Sequence, residues 1–380
     1  MDFASRTPQM LALLKQLVEI ESPSHDKPGV DRVASVVAAE CRRMGAQVEV
    51  VPQAGAGDQV IARWGPHPRP LSHGERGAKS ILLLSHMDTV FPVGTLTKMP
   101  FVEKDGKIFG PGTSDMKGGI VVALTAIAAA LEIGGLPRPV TALFTSDEET
   151  GSHASRALIE KLARESVLVL VLEPGLPDGA VKTWRKGVGG FTVRVRGRAA
   201  HAGGDHEKGR NAIEEIAHQV LAIQKLTDYA RQTTLNVGVI RGGTASNVVP
   251  DEAVAEVDLR VMQPGEAERI AAAMQGLRPV LEGTSLEVSG ELNRPPMPCD
   301  DRMKATFEKV KAIAAGVGID LKASGTGGGS DANFVAPLGI PVLDGLGPAG
   351  EGYHSEREYI FADSLPERAK LLAAILGEWA

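Results

Sequence analysis

Three apolar strands and one strand–helix junction of this chain stop abruptly at a carboxylate or an imidazole. ILLLSHMDTV (81–90) runs into His86 and Asp88, GPGTSDMKGG (110–119) carries Asp115 to the start of an Ala-rich helix, VTALFTS (140–146) ends at Asp147, Glu148 and Glu149, and VLVLVLEP (167–174) ends at Glu173. Short apolar runs read as buried strands, and strands alternating with helices read as a mostly parallel sheet with helices on both faces. The ends of such strands open on one crevice, where ligands bind. Taken singly, each acid is a cap or a solvated charge, and Asp115 alone reads as the N-cap of a helix over 118–132. Together on one sheet edge they read as a site. His86 and Asp88, two apart in an extended chain, point to the same side.

The remaining pattern fills in an α/β fold with an insertion. Helices are expected over 6–20, capped by Ser5 or Thr7, and over 29–44, with strands in QVEVVPQ (47–53) and DQVIARW (58–64). PHPRPLSHGERG (66–77) lacks periodicity and reads as a surface loop with His67 and His73 solvated. From 187 to 293 the strands alternate apolar and polar residues, as half-exposed antiparallel strands do, with helices near 209–226 and 265–281. The order βαββαβ is a ferredoxin-like α+β unit. After NRPPMP (293–298) the chain returns to helices and buried strands. The expected domains are therefore 1–186 and 294–380, forming one catalytic metal-binding domain, with 187–293 inserted. GTGGGSDANF (325–334) lacks the Lys and Ser/Thr of a phosphate loop, so its glycines are expected to allow close backbone approach. His354, in GYHSEREY, follows a further strand as the earlier candidate ligands do.

Composition excludes several classes of function. At 380 residues the chain exceeds what one core usually supports, and a net charge of -6 leaves no basic footprint for nucleic acid or an anionic membrane. The first 20 residues are amphipathic and carry Lys15 and Glu19, unlike a signal peptide, and nothing later is expected to approach the ~20 apolar residues of a membrane span. Cys41 and Cys299 lack a metal-type spacing, which suits packing roles in a reducing compartment, the cytoplasm.

Two divalent ions would use the acids and histidines well. With Asp115 bridging, His86 and Glu173 complete one site and Glu149 and His354 the other. Two Zn²⁺ against three carboxylates and a bridging hydroxide sum to zero charge, as a buried site requires. Mixed His and carboxylate ligands mark catalytic zinc. Glu148 points away from its neighbour Glu149 if the backbone is extended, and is the expected general base for a water activated by the pair. Asp88 is expected to orient His86.

SHMDTV, GPGTSDMKGG, SDEETGS, LVLEP, GTGGGSDAN and GYHSE, in this order, resemble the aminoacylase and glutamate carboxypeptidase family of dinuclear zinc hydrolases, most closely its bacterial glutamate carboxypeptidases. The resemblance runs through nearly the whole chain. It implies a zinc-exopeptidase-like fold, a Zn²⁺ pair replaceable by Co²⁺ or Mn²⁺, a cis peptide after Asp115, and an inserted domain that is both lid and homodimer interface. It also implies roles for residues that spacing does not explain. His201 in GRAAHAG would hold the oxyanion in the partner subunit's site, and Asn247 in TASNVVP and Arg260 in VDLRV would hold a substrate carboxylate. Lys186 would be a further carboxylate contact, and Gly327, Gly328, Gly329 and Ser330 would lie against the substrate's C-terminal residue. The implied activity is cleavage of the amide to a C-terminal amino acid, glutamate foremost, in a peptide or N-acyl amino acid. The alternatives are an N-acyl amino acid deacylase or dipeptidase of the same family, and a silent metal-binding scaffold, against which the intact Glu148 argues.

Overall fold

The strand Ser80–His86 lies inside a six-stranded sheet, flanked on either side by the parallel strands Val140–Thr145 and Ser166–Val171. These three strands carry the apolar runs, and all but two of their residues are buried, because helices cover the sheet. Beyond Val140–Thr145 lie Gln59–Trp64 and Gln47–Val51, both antiparallel to their neighbours, and Val342–Leu343 adds a parallel strand beside Ser166–Val171. The sheet is thus mixed and mostly parallel around its centre. A computed structural model describes residues 2–65 and 79–379, so the loop with His67 and His73 lies outside the described residues.

The chain divides into two compact units, Met1–Trp184 with Cys299–Gly325 and Ser330–Ala380, and Arg185–Pro298 with Thr326–Gly329. In the second unit Gly187–Arg196, Thr234–Gly242, Glu252–Val261 and Ser285–Arg294 form an antiparallel sheet. Glu252–Val261 and Gly187–Arg196 are its inner strands. The helices Ala212–Gln224 and Glu266–Gln275 supply Ile216, Ile223, Ile270 and Met274 to a core shared with Phe191, Val193 and Leu259. The Asn211 side chain caps the first helix by accepting from the N–H groups of Ile213 and Glu214.

Three sequence expectations change. The first helix, Thr7–Val18, has neither Ser5 nor Thr7 as a side-chain cap, and a short 3₁₀ turn, Ala4–Arg6, leads into it instead. Thr113–Glu132 does reach the length and apolarity of a membrane span, yet most of it is buried inside the protein. It is a core helix entered through non-helical backbone at Asp115 and Met116. Cys41 is buried as expected, whereas Cys299 is exposed and has no packing role.

Candidate metal centre

Parallel pairing determines where the candidate side chains emerge. His86 ends its strand level with Thr145, and Leu84 lies opposite Val171, so two further residues bring Glu173 up to His86. His86 Nε2 is 3.0 Å from Asp115 Oδ1 and 3.5 Å from Glu173 Oε1. His354 Nε2 approaches the other oxygen of the same acid, 3.2 Å from Asp115 Oδ2, and is 3.1 Å from Glu149 Oε2. Asp115 therefore presents one oxygen to each imidazole. Ligand atoms of His86, Asp115 and Glu149 lie within 4.8 Å of one another, as do those of His86, Glu148 and Glu173.

Local backbone aims Asp115 into this cluster. It is not an N-cap: the helix begins at Gly118, its N-cap position is Lys117, and Asp115 has φ -116° and ψ 93°. The Asp115–Met116 peptide is cis. A Cβ at Gly119 would collide with the Leu172 carbonyl, so glycine lets the helix press against the strand end that delivers Glu173. His354 sits at φ 62°, a left-handed backbone uncommon outside glycine and typical of functional positions.

Asp88 does two jobs, only one of them expected. His86 Nδ1 lies 3.0 Å from the Asp88 carbonyl, closer than the 3.5 Å to its carboxylate. A carbonyl only accepts, so Nδ1 donates to it and Nε2 is the nitrogen that faces Asp115 and Glu173. The Asp88 carboxylate accepts from Ser24 Oγ at 2.7 Å and from the backbone N–H groups of Glu148 and Glu149 at 3.3 and 3.2 Å. Those two glutamates occupy a 3₁₀ turn, Glu148–Thr150, and not extended backbone. Glu148 is accordingly not turned away, and its carboxylate gathers with His86 and Glu173.

The electrostatics call for cations. Burial and the nearby Asp115 push Glu149 up to about 7, and its Oε1 is buried without a hydrogen-bond partner. Hydrogen bonds to Asp115 and Glu149 push His354 up to about 11. Burial opposes charge on His86, but Asp115, Asp88 and Glu173 around it raise it well above the usual imidazole value. An orphaned carboxylate oxygen, repelled by a second carboxylate and flanked by two imidazoles, fits a divalent pair with nitrogen and oxygen ligands.

The other expected site residues lie mostly in the second unit. His201 is exposed, and its Nδ1 accepts from the N–H groups of Gly203 and Gly204 at 3.1 and 3.0 Å. Nε2 is then the protonated nitrogen and the one left to donate. Arg260 donates to Asp258 through Nε and Nη2 at 2.9 and 2.8 Å, and to the Gly327 carbonyl at 3.2 Å. Asn247 is exposed, and its carbonyl accepts from Ala202 N–H. Lys186 donates its backbone N–H to Thr326, and Arg185 Nη1 donates to the carbonyls of Gly328 and Gly329. Ser330, expected beside substrate, is instead fully buried in the first unit and donates to Asp344 at 2.7 Å, so its hydroxyl serves the fold. Sequence reasoning missed Glu358, four residues after His354, and Lys117, two after Asp115. Lys117 Nζ donates to the Ile20 carbonyl at 2.8 Å, and burial lowers its ammonium to about 7.

An α/β unit that converges two imidazoles and several carboxylates at parallel strand ends defines a metal-dependent hydrolase, and comparison with known proteins agrees. The model of peptidase family M20/M25/M40 matches residues 82–378, and the chain belongs to this family. It is similar to carboxypeptidase G2 of Pseudomonas sp. (strain RS-16), 32% identical over 383 residues covering 97% of this chain and 89% of the relative. It is also similar to succinyl-diaminopimelate desuccinylase of Dechloromonas aromatica (strain RCB), 31% identical over 322 residues, 79% of this chain and 84% of the relative. The fold matches that of Bacillus subtilis YXEP, a dinuclear metal-binding peptidase of the M20 family, with TM-score 0.69, 17% identity and coverage of 98% of both chains.

Proposed function

We propose that this protein is a zinc-dependent exopeptidase that hydrolyses the amide to a C-terminal amino acid, with glutamate as the preferred residue. The observation that carries the hydrolytic reading is Asp115, one oxygen on each imidazole, beside the orphaned Glu149 oxygen. Asp115 would be shared by two Zn²⁺, with His86 and Glu173 holding one and Glu149 and His354 the other. Bound there, the ions would supply Lewis acidity, lowering the pKa of water and polarising the scissile carbonyl. Glu148 takes the proton of the attacking water and returns it to the leaving nitrogen. His201, with its Nε2–H left to donate, donates to the developing oxyanion. Arg260 uses three of its five donors on Asp258 and Gly327 and keeps two for the substrate carboxylate, with Asn247 and Lys186 beside it in the recognition set.

The glutamate preference rests on the motif resemblance to bacterial glutamate carboxypeptidases, and the similarity to carboxypeptidase G2 supports release of a C-terminal residue, while the similarity to a desuccinylase favours N-acyl amino acid deacylation as the second reading. A panel of N-acyl-glutamate, folate-type glutamate conjugates, dipeptides and N-acetylated neutral amino acids separates them. Glutamate conjugates are expected to lead in kcat/KM by at least about tenfold, or ~1.4 kcal/mol of transition-state binding. A lead for any other class would replace glutamate. A homodimer through the second unit is supported by its edge strand Thr234–Gly242 and its helix Ala212–Gln224, which expose Ile240 and Leu221. Two unpaired cysteines fit the cytoplasm.

Ligation needs neutral imidazole and ionised carboxylate, whereas His354 and Glu149 are raised and hold protons at or below neutral pH. Metal uptake is therefore expected to release protons, and apparent affinity to weaken as pH falls from about 8 to about 6. Calorimetry in buffers of different ionisation heat measures the release; uptake without it would remove these two residues from the ligand set.

A further inference from the structure

One more buried carboxylate lies beside the centre, and the proposed reaction does not use it. Glu358 is fully buried, and it accepts three backbone N–H groups from one turn: Gly112 at 3.1 Å, Ser114 at 2.7 Å and Asp115 at 3.0 Å. Burial pushes it up to about 8 although these donors pull the other way. Its place follows from strand pairing. Tyr359, the next residue, pairs with Phe109, which sets Glu358 against the Gly110–Gly112 turn leading to Asp115. That turn is tight, with Gly112 at φ 74° and a Cβ there only 2.8 Å from Thr89.

We propose that Glu358 is a positioning residue for the metal centre. It clamps the backbone of Asp115 and, from the segment that carries His354, ties the second imidazole to the shared acid. Three converging N–H groups need an acceptor with two oxygens and four lone pairs. Glutamine offers one oxygen and turns an NH₂ toward a donor, and aspartate is one methylene short. Without the clamp the turn retains its glycines, but Asp115 is no longer held so that its two oxygens face two imidazoles.

The proposal rests on the metal reading, and the test separates the two. Metal-free native protein, Glu358→Gln and Glu358→Ala are titrated with Co²⁺ alone against a chromophoric chelator, with the visible Co²⁺ spectrum and heat unfolding of each metal-free form recorded. Affinity for at least one Co²⁺ is expected to fall roughly tenfold in Glu358→Gln and up to about 100-fold in Glu358→Ala, the range for residues supporting a ligand, with an altered spectrum. If Glu358→Ala does not fold, Glu358→Gln decides. Native affinity and spectrum in a folded variant overturn the positioning role. Failure of native protein to take up Co²⁺ overturns the metal reading itself.

Discussion

Glu148→Gln is expected to lower kcat by roughly 10²- to 10⁴-fold with little change in KM, since the amide keeps the side chain's shape but cannot accept a proton. The fold around it should persist, because Asp88 holds residue 148 through its backbone N–H, which the variant keeps. Metal content is the decisive companion measurement. The Glu148 carboxylate gathers with His86 and Glu173, a geometry that also suits a ligand. Activity lost with two metal equivalents retained assigns Glu148 as the base. Activity and one equivalent lost together would make it a ligand, and activity retained would remove it from the reaction.

What was legible in the sequence depended on whether the signal was local. The strands that carry His86, Glu149 and Glu173 announce themselves because a strand buried on both faces must be apolar throughout, and the polar residue that ends it is conspicuous. Helix limits were less legible: the expected 265–281 shrinks to Glu266–Gln275, with Gly276 as C-cap and Pro279 following. Direction was less legible still. An extended backbone would turn Glu148 outward, but the acceptor that folds its turn, Asp88, lies 60 residues earlier. The family resemblance places Ser330 beside substrate, whereas Asp344, 14 residues later in sequence, takes its hydroxyl. Glu358 had no sequence signature, since its donors are backbone groups 243 to 246 positions earlier.

Subunit mixing should show whether His201 serves its own chain or the partner. His201→Ala alone is expected to lower kcat by about 10²- to 10³-fold, the cost of one oxyanion donor. The residue is suited to that role as a donor, since Gly203 and Gly204 occupy Nδ1 and leave the proton on Nε2. Suppose Glu148→Gln and His201→Ala chains exchange at random, so that half of the dimers are mixed. If His201 acts across the two-fold interface, the site on the His201→Ala chain has its own Glu148 and receives an intact His201, so one site in each mixed dimer is native. Recovery of about a quarter of native activity is then expected from two nearly inactive proteins. If His201 acts within its own chain, no mixed dimer contains a native site and nothing is recovered. Native mass spectrometry of the mixture establishes that exchange has occurred. With mixed dimers present, absence of recovery places His201 in its own subunit's site or outside the reaction, and the single-variant kcat distinguishes these.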